Sequence, residues 1–443
     1  MSLPTPARAC ALTAAALAAT LVADQRVGLA LALALLLAGT AGLLAAPRRP
    51  SLVLAGIAAA LAVQPVVRDA GWVVAIDVIA SLLVALVAAG RLEAWSGVRR
   101  ALLAPVRLAG TVVRLRWVER AFGPLAPSGR LWPVARGLVL AAVLSVTFGA
   151  LFASADSAFA EVVGQTFTAD LDGGDLTWRL LLALVFCSAA AAIARAGQAH
   201  PATRDGARDP RLGRTELVIA LSAVVTLFAG FVAVQLRVLF GGAEYVRATT
   251  GLGYGDYARQ GFVQLLVVAA LTLAVVAVAA RRTERSVRGL LGALCALTIV
   301  VLLSAHHRLD LVERAYGLTR VRLTGDAVVL WLGAIFVLVL VAGCGPALAR
   351  RVPRIATALT LAGVLAFSLS DPDARIAQRA VDRAASGGQI DTTYLSNLSA
   401  DALPALTALP EAQRREVVPV LRDRLARPDG IAGLNLARAR ARR

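Results

Sequence analysis

The stretch GLVLAAVLSVTFGALFASADSAFAEVV, residues 137–163, carries no charged side chain in its first 19 residues and then places Asp156 and Glu161 close behind them. About 20 consecutive, mostly apolar residues are enough for an α-helix to cross the hydrocarbon core of a bilayer. Because a charged side chain is costly inside that core, the two carboxylates mark the point where the chain leaves it. The stretch therefore predicts a membrane-spanning helix over 134–153 with an acidic exit.

Apolar runs of this kind recur from end to end of the chain. Hydrophobic residues make up 58% of the 443 residues and charged residues only 17%, and the mean hydropathy is +0.72. A soluble protein carries about 25% charged residues. We therefore predict an all-α, polytopic integral membrane helix bundle of about 11 transmembrane helices with a small helical C-terminal tail. The predicted spans are 8–23, 27–46, 51–66, 71–90, 134–153, 178–194, 215–239, 258–280, 289–305, 326–348 and 355–370.

The arginines lie mostly in alternate loops between these spans. If the N-terminus is cytoplasmic, 23 arginines fall in loops on the cytoplasmic side and seven in loops on the opposite side. Cytoplasmic loops of membrane proteins carry such an excess of basic residues. We therefore predict a multi-pass protein of the bacterial plasma membrane, with a cytoplasmic N-terminus and an extracytoplasmic tail. The net charge of +18 then reflects orientation in the lipid bilayer, and no nucleic-acid partner is expected.

Changes in composition divide the chain into four parts. The second part contains arginines that recur every seven residues, which favours a helix lying on the cytoplasmic membrane surface, with a calmodulin-like partner helix as the alternative. The first span has an alternative interpretation as a secretory signal peptide. The four parts are an N-terminal four-helix transmembrane part (1–90), a cytoplasmic basic amphipathic segment (91–133), a transmembrane core (134–370) and a polar helical tail (371–443).

Charged side chains gather at the predicted outer ends of the spans. Asp77 lies deepest, about two turns into the fourth span. Charges inside spans usually pair with one another or line a cavity, so Asp77 is either a carboxylate paired with a nearby Arg or a ligand or proton site. The candidate polar cluster, which would hold a ligand, a partner or ion pairs, comprises Asp77, Asp156, Arg237, Asp256, Arg259, His306, Glu313, Arg314 and Asp326.

The chain has few residues of the kinds that catalyse reactions or bind metals. It contains three His, and the adjacent pair His306 and His307 would diverge by about 100° on a helix. No H-E-x-x-H motif, phosphate-binding loop or dinucleotide fingerprint is present. We therefore predict no catalytic residue, no metal and no cofactor. The four cysteines lie singly within apolar runs, at Cys10, Cys187, Cys295 and Cys344.

Several motifs resemble a known family of bacterial membrane proteins. The longest is FVAVQLRVLFGGAEYVRATTGLGYGDYARQGFVQLLVVAALTLAVV at 231–276. Shorter matches are SADSAF (154–159), GRTE (213–216), ERAYGLTRVRL (313–323) and IDTTYLSNLSADALPAL (390–406). In their order these motifs resemble the family grouped as domain of unknown function 4153, with 4173 as a related grouping, over roughly 135–443. The resemblance implies an architecture and motif positions but no reaction.

Three classes of function are compatible with these patterns. The first is a non-enzymatic envelope protein for assembly or regulation, whose outward polar layer and tail bind another envelope protein. The second is a transporter or lipid-handling protein in which Asp77, Arg237 and their neighbours line a pathway. The third is a membrane-embedded enzyme that uses the 304–326 loop. We favour the first class and keep the other two as alternatives.

Overall fold

A computed structural model describes residues 5–24, 26–45, 51–88, 131–167, 213–250, 261–280 and 284–442. Throughout these ranges the regular secondary structure is helical, so the predicted all-α class is confirmed. The predicted sixth span (178–194) and most of the predicted basic segment (91–133) lie outside them.

Ten apolar helices correspond to ten of the predicted spans. Six of them, α5 and α7 to α11, are long and apolar enough to cross a membrane, and α1 to α4 contain shorter apolar segments of 10–17 residues. A short helix, α6, follows α5. The bounds are α1 (Thr5–Asp24), α2 (Leu29–Leu44), α3 (Leu52–Val67), α4 (Gly71–Ala88), α5 (Leu131–Ala155), α6 (Ser157–Phe167), α7 (Arg214–Thr250), α8 (Phe262–Ala279), α9 (Arg285–Tyr316), α10 (Arg320–Ala342) and α11 (Pro346–Leu369).

The long helices expose large apolar side chains. Leu138 on α5, Leu303 on α9 and Leu330 on α10 are 58%, 62% and 57% exposed. Such apolar faces are rare on soluble monomers and match what the acyl chains of a bilayer cover. Together with the number of apolar helices, they establish a multi-pass membrane protein.

The helix α9 is longer than the ninth span suggested. The sequence predicted a span ending near 305 and a loop over 304–326, whereas α9 continues to Tyr316 and α10 begins at Arg320. The buried residues Ala305, Arg308, Leu309 and Val312 explain the difference, because they follow one another at helical spacing and keep one face of the helix packed.

The chain packs into two compact units that are not consecutive in sequence. Unit 1 comprises Met1–Arg100, Tyr316–Ala327 and Arg354–Arg443, and unit 2 comprises Ala101–Ala315 and Val328–Pro353. The four-part division made from composition follows the chain and remains a prediction. Packing instead places the first four helices and the tail in the same unit.

Unit 2 has an aromatic core between α5 and α7. Phe152 stacks on Phe231 with ring centroids 3.9 Å apart, and its edge meets the ring of Phe228 at 4.8 Å. Phe148 also contacts Phe228, at 5.3 Å. Each such pair contributes about 0.5–1.5 kcal/mol beyond the burial of its area. These contacts fix the end of α5, where Asp156 follows.

In unit 1 the tail forms a small folded domain. Its core includes Leu395, Leu403, Leu406, Val417 and Leu421, each at most 3% exposed. Several short helices supply these side chains, and Asp391 caps one of them by accepting a hydrogen bond from the N–H of Tyr394 (2.8 Å). The helices are α12 (Pro372–Ala385), α13 (Thr392–Ser396), a 3₁₀ helix (Ala400–Ala402), α14 (Leu403–Leu406), α15 (Glu411–Leu425) and α16 (Leu436–Ala441).

Candidate functional site

The tail supplies hydrogen-bond acceptors to the first turn of α2. The first N–H groups of a helix have no partner within the helix and must find one elsewhere. Here the N–H groups of Leu29 and Ala30 donate to the carbonyl oxygens of Leu434 (3.1 Å) and Ala432 (2.9 Å). The backbones come so close that a Cβ atom on Gly28 would lie 2.5 Å from the Gly433 oxygen. Glycine at position 28 therefore permits this contact.

At the start of α4, the side chains of Asp69 and Asp401 each accept hydrogen bonds from the backbone of the other's segment. Asp401 Oδ2 accepts hydrogen bonds from the N–H groups of Asp69 (2.8 Å) and Ala70 (2.9 Å). In return, Asp69 Oδ2 accepts one from the N–H of Ala400 (3.0 Å), where the 3₁₀ helix begins. Aspartate is a preferred residue for satisfying free N–H groups at helix starts. This reciprocal pair joins the α3–α4 connection to the tail.

The carboxyl group of Asp401 has a raised pKa. Burial raises its pKa to about 6, and the negative charges of Asp371 and Asp69 act in the same direction. Hydrogen bonds from the Asp69 N–H and the Ser399 hydroxyl oppose this rise without cancelling it. The contact between Asp401 and α4 is therefore sensitive to pH in the weakly acidic range.

Asn435 satisfies the end of α3 and the start of α16 together. Its Nδ2 donates to the carbonyl oxygens of Pro65 (2.9 Å) and Arg68 (2.8 Å), and its Oδ1 accepts from the N–H of Arg438 (3.0 Å). The side chain is 1% exposed. The last carbonyl groups of a helix lack partners within the helix. The Asn435 amide supplies donors to those at the end of α3, just as the Asp401 carboxylate supplies an acceptor to the N–H groups at the start of α4.

Asp429 and Arg438 lie at the centre of an ion-pair chain in the same unit. Arg438 pairs with Asp69 (2.5 Å) and Asp429 (2.9 Å). Asp429 also pairs with Arg26 of the α1–α2 connection and with Arg442, each at 2.8 Å. Burial raises the pKa of Asp429, but the three guanidinium groups outweigh it and hold the pKa below its usual value.

Asp373 anchors the tail to the start of α10. Arg320 donates to both of its carboxylate oxygens, at 2.9 and 2.5 Å, and the indole Nε1 of Trp72 donates at 3.1 Å. The N–H of Ser399 adds a bond of 2.9 Å. Burial raises the pKa of Asp373. The hydrogen bonds from Arg320 and Ser399 and the positive charge of Arg320 lower it by more, so the net shift of the pKa is downward. We call the contacts made by Asp69, Asp373, Asp401, Asp429, Asn435 and Arg438 the docking network.

Arg68 is incompletely satisfied beside this network. Its guanidinium pairs with Asp371 and donates to the Leu369 carbonyl oxygen (2.8 Å) at the end of α11. Its Nε atom and Asp371 Oδ1 are both buried and make no hydrogen bond within the described ranges. Unpaired buried polar atoms are rare in native proteins and often mark a site where a water, an ion or a ligand binds.

Asp77 is buried between α4 and α11, within unit 1. It is 0% exposed, and the Ser368 hydroxyl donates to its Oδ2 at 2.6 Å. Among the residues that the structure describes, no arginine forms a salt bridge with Asp77. The Oδ1 atom of Asp77 and the Oε1 atom of Gln64, on α3, have no hydrogen-bond partner within the described ranges. The observed partner is thus a hydroxyl group rather than a guanidinium.

Asp156 lies in a separate polar cluster, in unit 2. Its Oδ1 accepts from the N–H of Phe159 (2.9 Å) and caps α6, while its Oδ2 accepts from Gln235 Nε2 (2.7 Å) and from Arg308. Arg308 and Ser304 both donate to Gln235 Oε1, at 2.8 and 3.0 Å. Asp156, Gln235 and Arg308 are at most 5% exposed. We call Asp156, Gln235, Ser304 and Arg308 the Asp156 cluster.

The remaining predicted residues do not join either group through the hydrogen bonds and ion pairs given above. Arg237 is exposed on α7, and His306 and Glu313 are partly buried on α9. Arg314 is exposed and pairs with Asp310 at 2.7 Å, at the helical spacing that the sequence indicated. Asp326 is partly buried about two turns into α10 rather than at its start. Asp256 and Arg259 lie outside the described residues.

Sequence reasoning missed most of the residues that form the contacts. No sequence pattern marks these positions, because they lie in short connections without a regular spacing. The residues overlooked for this reason are Asp69, Asp401, Asn435 and Arg438. Arg308 could have been found, because it falls on the buried face of α9 beside Ala305 and Leu309. A charged residue at a core position of a helix indicates a buried ion pair.

Comparison with known proteins identifies the family of this chain. No curated protein and no solved structure matches it. Residues 55–409 match the model of one protein family, whose description is Domain of unknown function (DUF4153). The match begins within α3 and ends before α15, so it contains both Asp69 and Asp401. Because it covers well over half of the 443 residues, the chain belongs to the family Domain of unknown function (DUF4153).

Proposed function

We propose that this protein is a non-enzymatic envelope protein, for assembly or regulation, whose tail and helix connections form one extracytoplasmic head that binds a partner protein. In this proposal the N-terminus is cytoplasmic and the head faces away from the cytoplasm. The observation that carries the proposal is the docking network, in which tail side chains take the place of the missing backbone partners at the ends of α3 and α4.

Such a contact differs from that of a tethered, independent domain. Loosely joined domains meet through polar surfaces that can separate and stay solvated. Separation here would leave N–H and carbonyl groups of three helices without partners, at about 1–3 kcal/mol for each group that stays buried. The tail therefore behaves as a fixed part of unit 1, and fixed surfaces bind partners without an ordering cost.

The orientation is tested by cysteine labelling. Ser386 follows α12 and is exposed, and the native Cys344 is exposed between α10 and α11. We expect Ser386→Cys to react with a membrane-impermeant maleimide in intact cells, whereas Cys344 should react only after permeabilisation. A Cys344→Ser variant identifies the second signal. The reverse pattern would make the proposed orientation wrong.

The partner is tested by purification from native membranes in mild detergent. We expect a protein at near-equal amount that is lost when exposed tail residues are changed on α12 (Arg375→Glu with Arg379→Glu) or on α15 (Arg415→Glu with Val420→Glu). All four residues are exposed and lie outside the docking network. The Asp77→Asn variant serves as an interior control and should retain the partner. If the wild type brings down no stoichiometric protein, the proposal is rejected.

A transporter or lipid-handling protein is the second candidate, and one observation favours it. Asp77 is a buried carboxylate with an unpaired oxygen, in a helix that is apolar around it. Buried carboxylates in membrane helices often carry protons or bind cations. In reconstituted vesicles with an imposed pH gradient, wild-type protein would then dissipate the gradient and Asp77→Asn would not. Equal rates in protein-free, wild-type and variant vesicles would exclude proton movement through this site.

A further inference from the structure

A cavity of about 420 Å³ lies in unit 1, where the tail meets the α1–α2 and α3–α4 connections. Its volume is within the range of small-molecule sites, which run from about 300 to 1,000 Å³. Five arginines line it, and Asp69 is the one carboxylate residue in its lining. The arginines are Arg26, Arg68, Arg320, Arg424 and Arg438.

The acidic partners of these arginines lie mostly behind the cavity wall. Asp371, Asp373 and Asp429 pair with Arg68, Arg320 and Arg26 but do not line the cavity. The ion pairs therefore fix the positions of the guanidinium groups, while the lining itself keeps an excess of positive charge. A cleft whose wall carries mostly one sign of charge attracts ligands of the other sign.

Two of the arginines have capacity that the protein does not use. Arg68 is only 9% exposed, and its buried Nε makes no hydrogen bond in the described ranges. Arg424 donates to the Ser396 carbonyl oxygen and lies 3.5 Å from Asn397 Oδ1, and within the described part of the chain it has no carboxylate partner. A guanidinium has five N–H donors in a planar fork, so both groups can bind a further acceptor.

We propose that this cavity is an anion site that binds a phosphoryl group, either of a lipid headgroup or of a soluble phosphate ester. A planar guanidinium group donates two parallel hydrogen bonds to two oxygens of a phosphoryl group. Arginine is therefore the residue that proteins commonly use to bind phosphoryl groups. The volume accommodates a group larger than a single phosphate. The inference rests on the proposed function, since it assigns a ligand class to the same head.

Arg424 provides the variant that tests this site without disturbing the fold. It is exposed on α15 and belongs to no ion pair of the docking network. Arg422 is its matched control, because it is an exposed arginine on the same helix that does not line the cavity. Because Arg424→Ala also removes the hydrogen bond to the Ser396 carbonyl oxygen, the unfolding temperatures of both variants are measured, and binding is compared at a temperature at which both are folded.

The experiment is a calorimetric titration of the full chain, purified in a sugar-based detergent, with two probes. One probe is inorganic phosphate, and the other is dihexanoyl phosphatidylglycerol, a short lipid that remains monomeric. We expect one equivalent of a probe to bind, with at least tenfold weaker binding to Arg424→Ala and unchanged binding to Arg422→Ala. Binding of the lipid but not of phosphate assigns a headgroup, and binding of both assigns the phosphoryl group alone.

Failure of this inference can be told apart from failure of the proposed function. If neither probe binds the wild type, or if Arg424→Ala binds as the wild type does, the anion site is wrong. The partner purification is unaffected by that result, because its variants lie on other surfaces of α12 and α15. If the wild-type protein binds the anion but purifies with no stoichiometric partner protein, only the proposed function is wrong.

Discussion

In the Asp156 cluster of unit 2, a buried carboxylate meets a buried guanidinium, and a glutamine and a serine share hydrogen bonds with them. In unit 1, five carboxylates and several arginines share their partners over a wider area, beside an open cavity, and Arg68 Nε, Asp77 Oδ1 and Asp371 Oδ1 remain unpaired. A fully satisfied buried network specifies a structure, whereas a partly satisfied one is costly unless something else binds it. We therefore expect a structural role for the Asp156 cluster and a binding role for the partly satisfied polar groups of unit 1.

Removing Arg308 should have the largest effect. Arg308→Ala removes the guanidinium that pairs with the buried Asp156, and breaking a buried ion pair typically destabilises a protein by about 3–5 kcal/mol. We expect the variant to accumulate poorly and to unfold at a much lower temperature in detergent, as measured by a thermal-shift assay. The double variant Asp156→Asn with Arg308→Met should recover part of the loss.

The matched control for that experiment is Arg314→Ala. Arg314 also lies on α9 and pairs with a carboxylate, but its side chain is 75% exposed. Exposed pairs contribute about 0–1 kcal/mol, so this variant should behave as the wild type. If Arg308→Ala lost no more stability than Arg314→Ala, the Asp156 cluster would not be a buried structural pair.

The pH dependence of tail docking should come next in size. The pKa of Asp401 is raised to about 6 in the docked tail, so the docked state holds this proton more tightly than the free chain, whose Asp has a pKa near 3.8. The contribution of Asp401 to docking is therefore largest below that lower value and is lost as the pH rises through 6, by at most about 3 kcal/mol. The lowered pKa values of Asp373 and Asp429 act only below pH 4, where their stabilisation is lost.

Hydrogen exchange of the tail between pH 4.5 and 7.5, corrected for intrinsic rates, measures this dependence. Asp401→Asn keeps an oxygen acceptor for the N–H groups of Asp69 and Ala70 but cannot titrate. We expect the variant to lose most of the pH dependence, with the remainder due to Asp371, whose pKa burial also raises. An unchanged slope in Asp401→Asn would show that Asp401 is not the group responsible.

A smaller loss is expected from Asn435→Ala. The change removes two donors to carbonyl oxygens of the α3 end and one acceptor at α16, and unsatisfied buried groups cost about 1–3 kcal/mol. Limited proteolysis should cleave the tail faster, while unit 2 keeps its thermal stability. Gln389→Ala, at an exposed tail position, is the control. Equal cleavage of the two variants would mean that the amide does not hold the tail.

The sequence was a good guide to the apolar helices and a poor one to the contacts between them. Ten predicted spans appear as helices because a run of apolar residues is a local property. The partners Asp69 and Asp401 are 332 positions apart in the sequence, and no periodicity connects them. Asp77 and Asp156 stood out because a charge inside or beside an apolar run is conspicuous, whereas Asn435 and Arg438 lie in a tail that is polar throughout.

The ion pairs of the arginines are a second kind of contact that the sequence does not reveal. Seven arginines fell on the predicted outer side and weakened the bias, and the structure pairs five of them with carboxylates: Arg26, Arg68, Arg308, Arg314 and Arg320. On the predicted inner side, Arg214, Arg285, Arg288, Arg350, Arg351 and Arg354 form no salt bridge within the described residues. Most outer-side arginines in the described ranges are thus in ion pairs, which counting along the sequence does not reveal.

The reciprocal contact between Asp69 and Asp401 also has a consequence in time. A ribosome adds about 5–20 residues each second, so the start of α4 leaves it roughly 20–70 s before the side chain that completes it. During that interval the first helices are in the membrane with their ends unsatisfied. Unit 1 can complete this contact only after Asp401 has been synthesised, and a chain that stops short of Asp401 never reaches that state. Helix ends without these partners are therefore the mark of a chain that lacks Asp401.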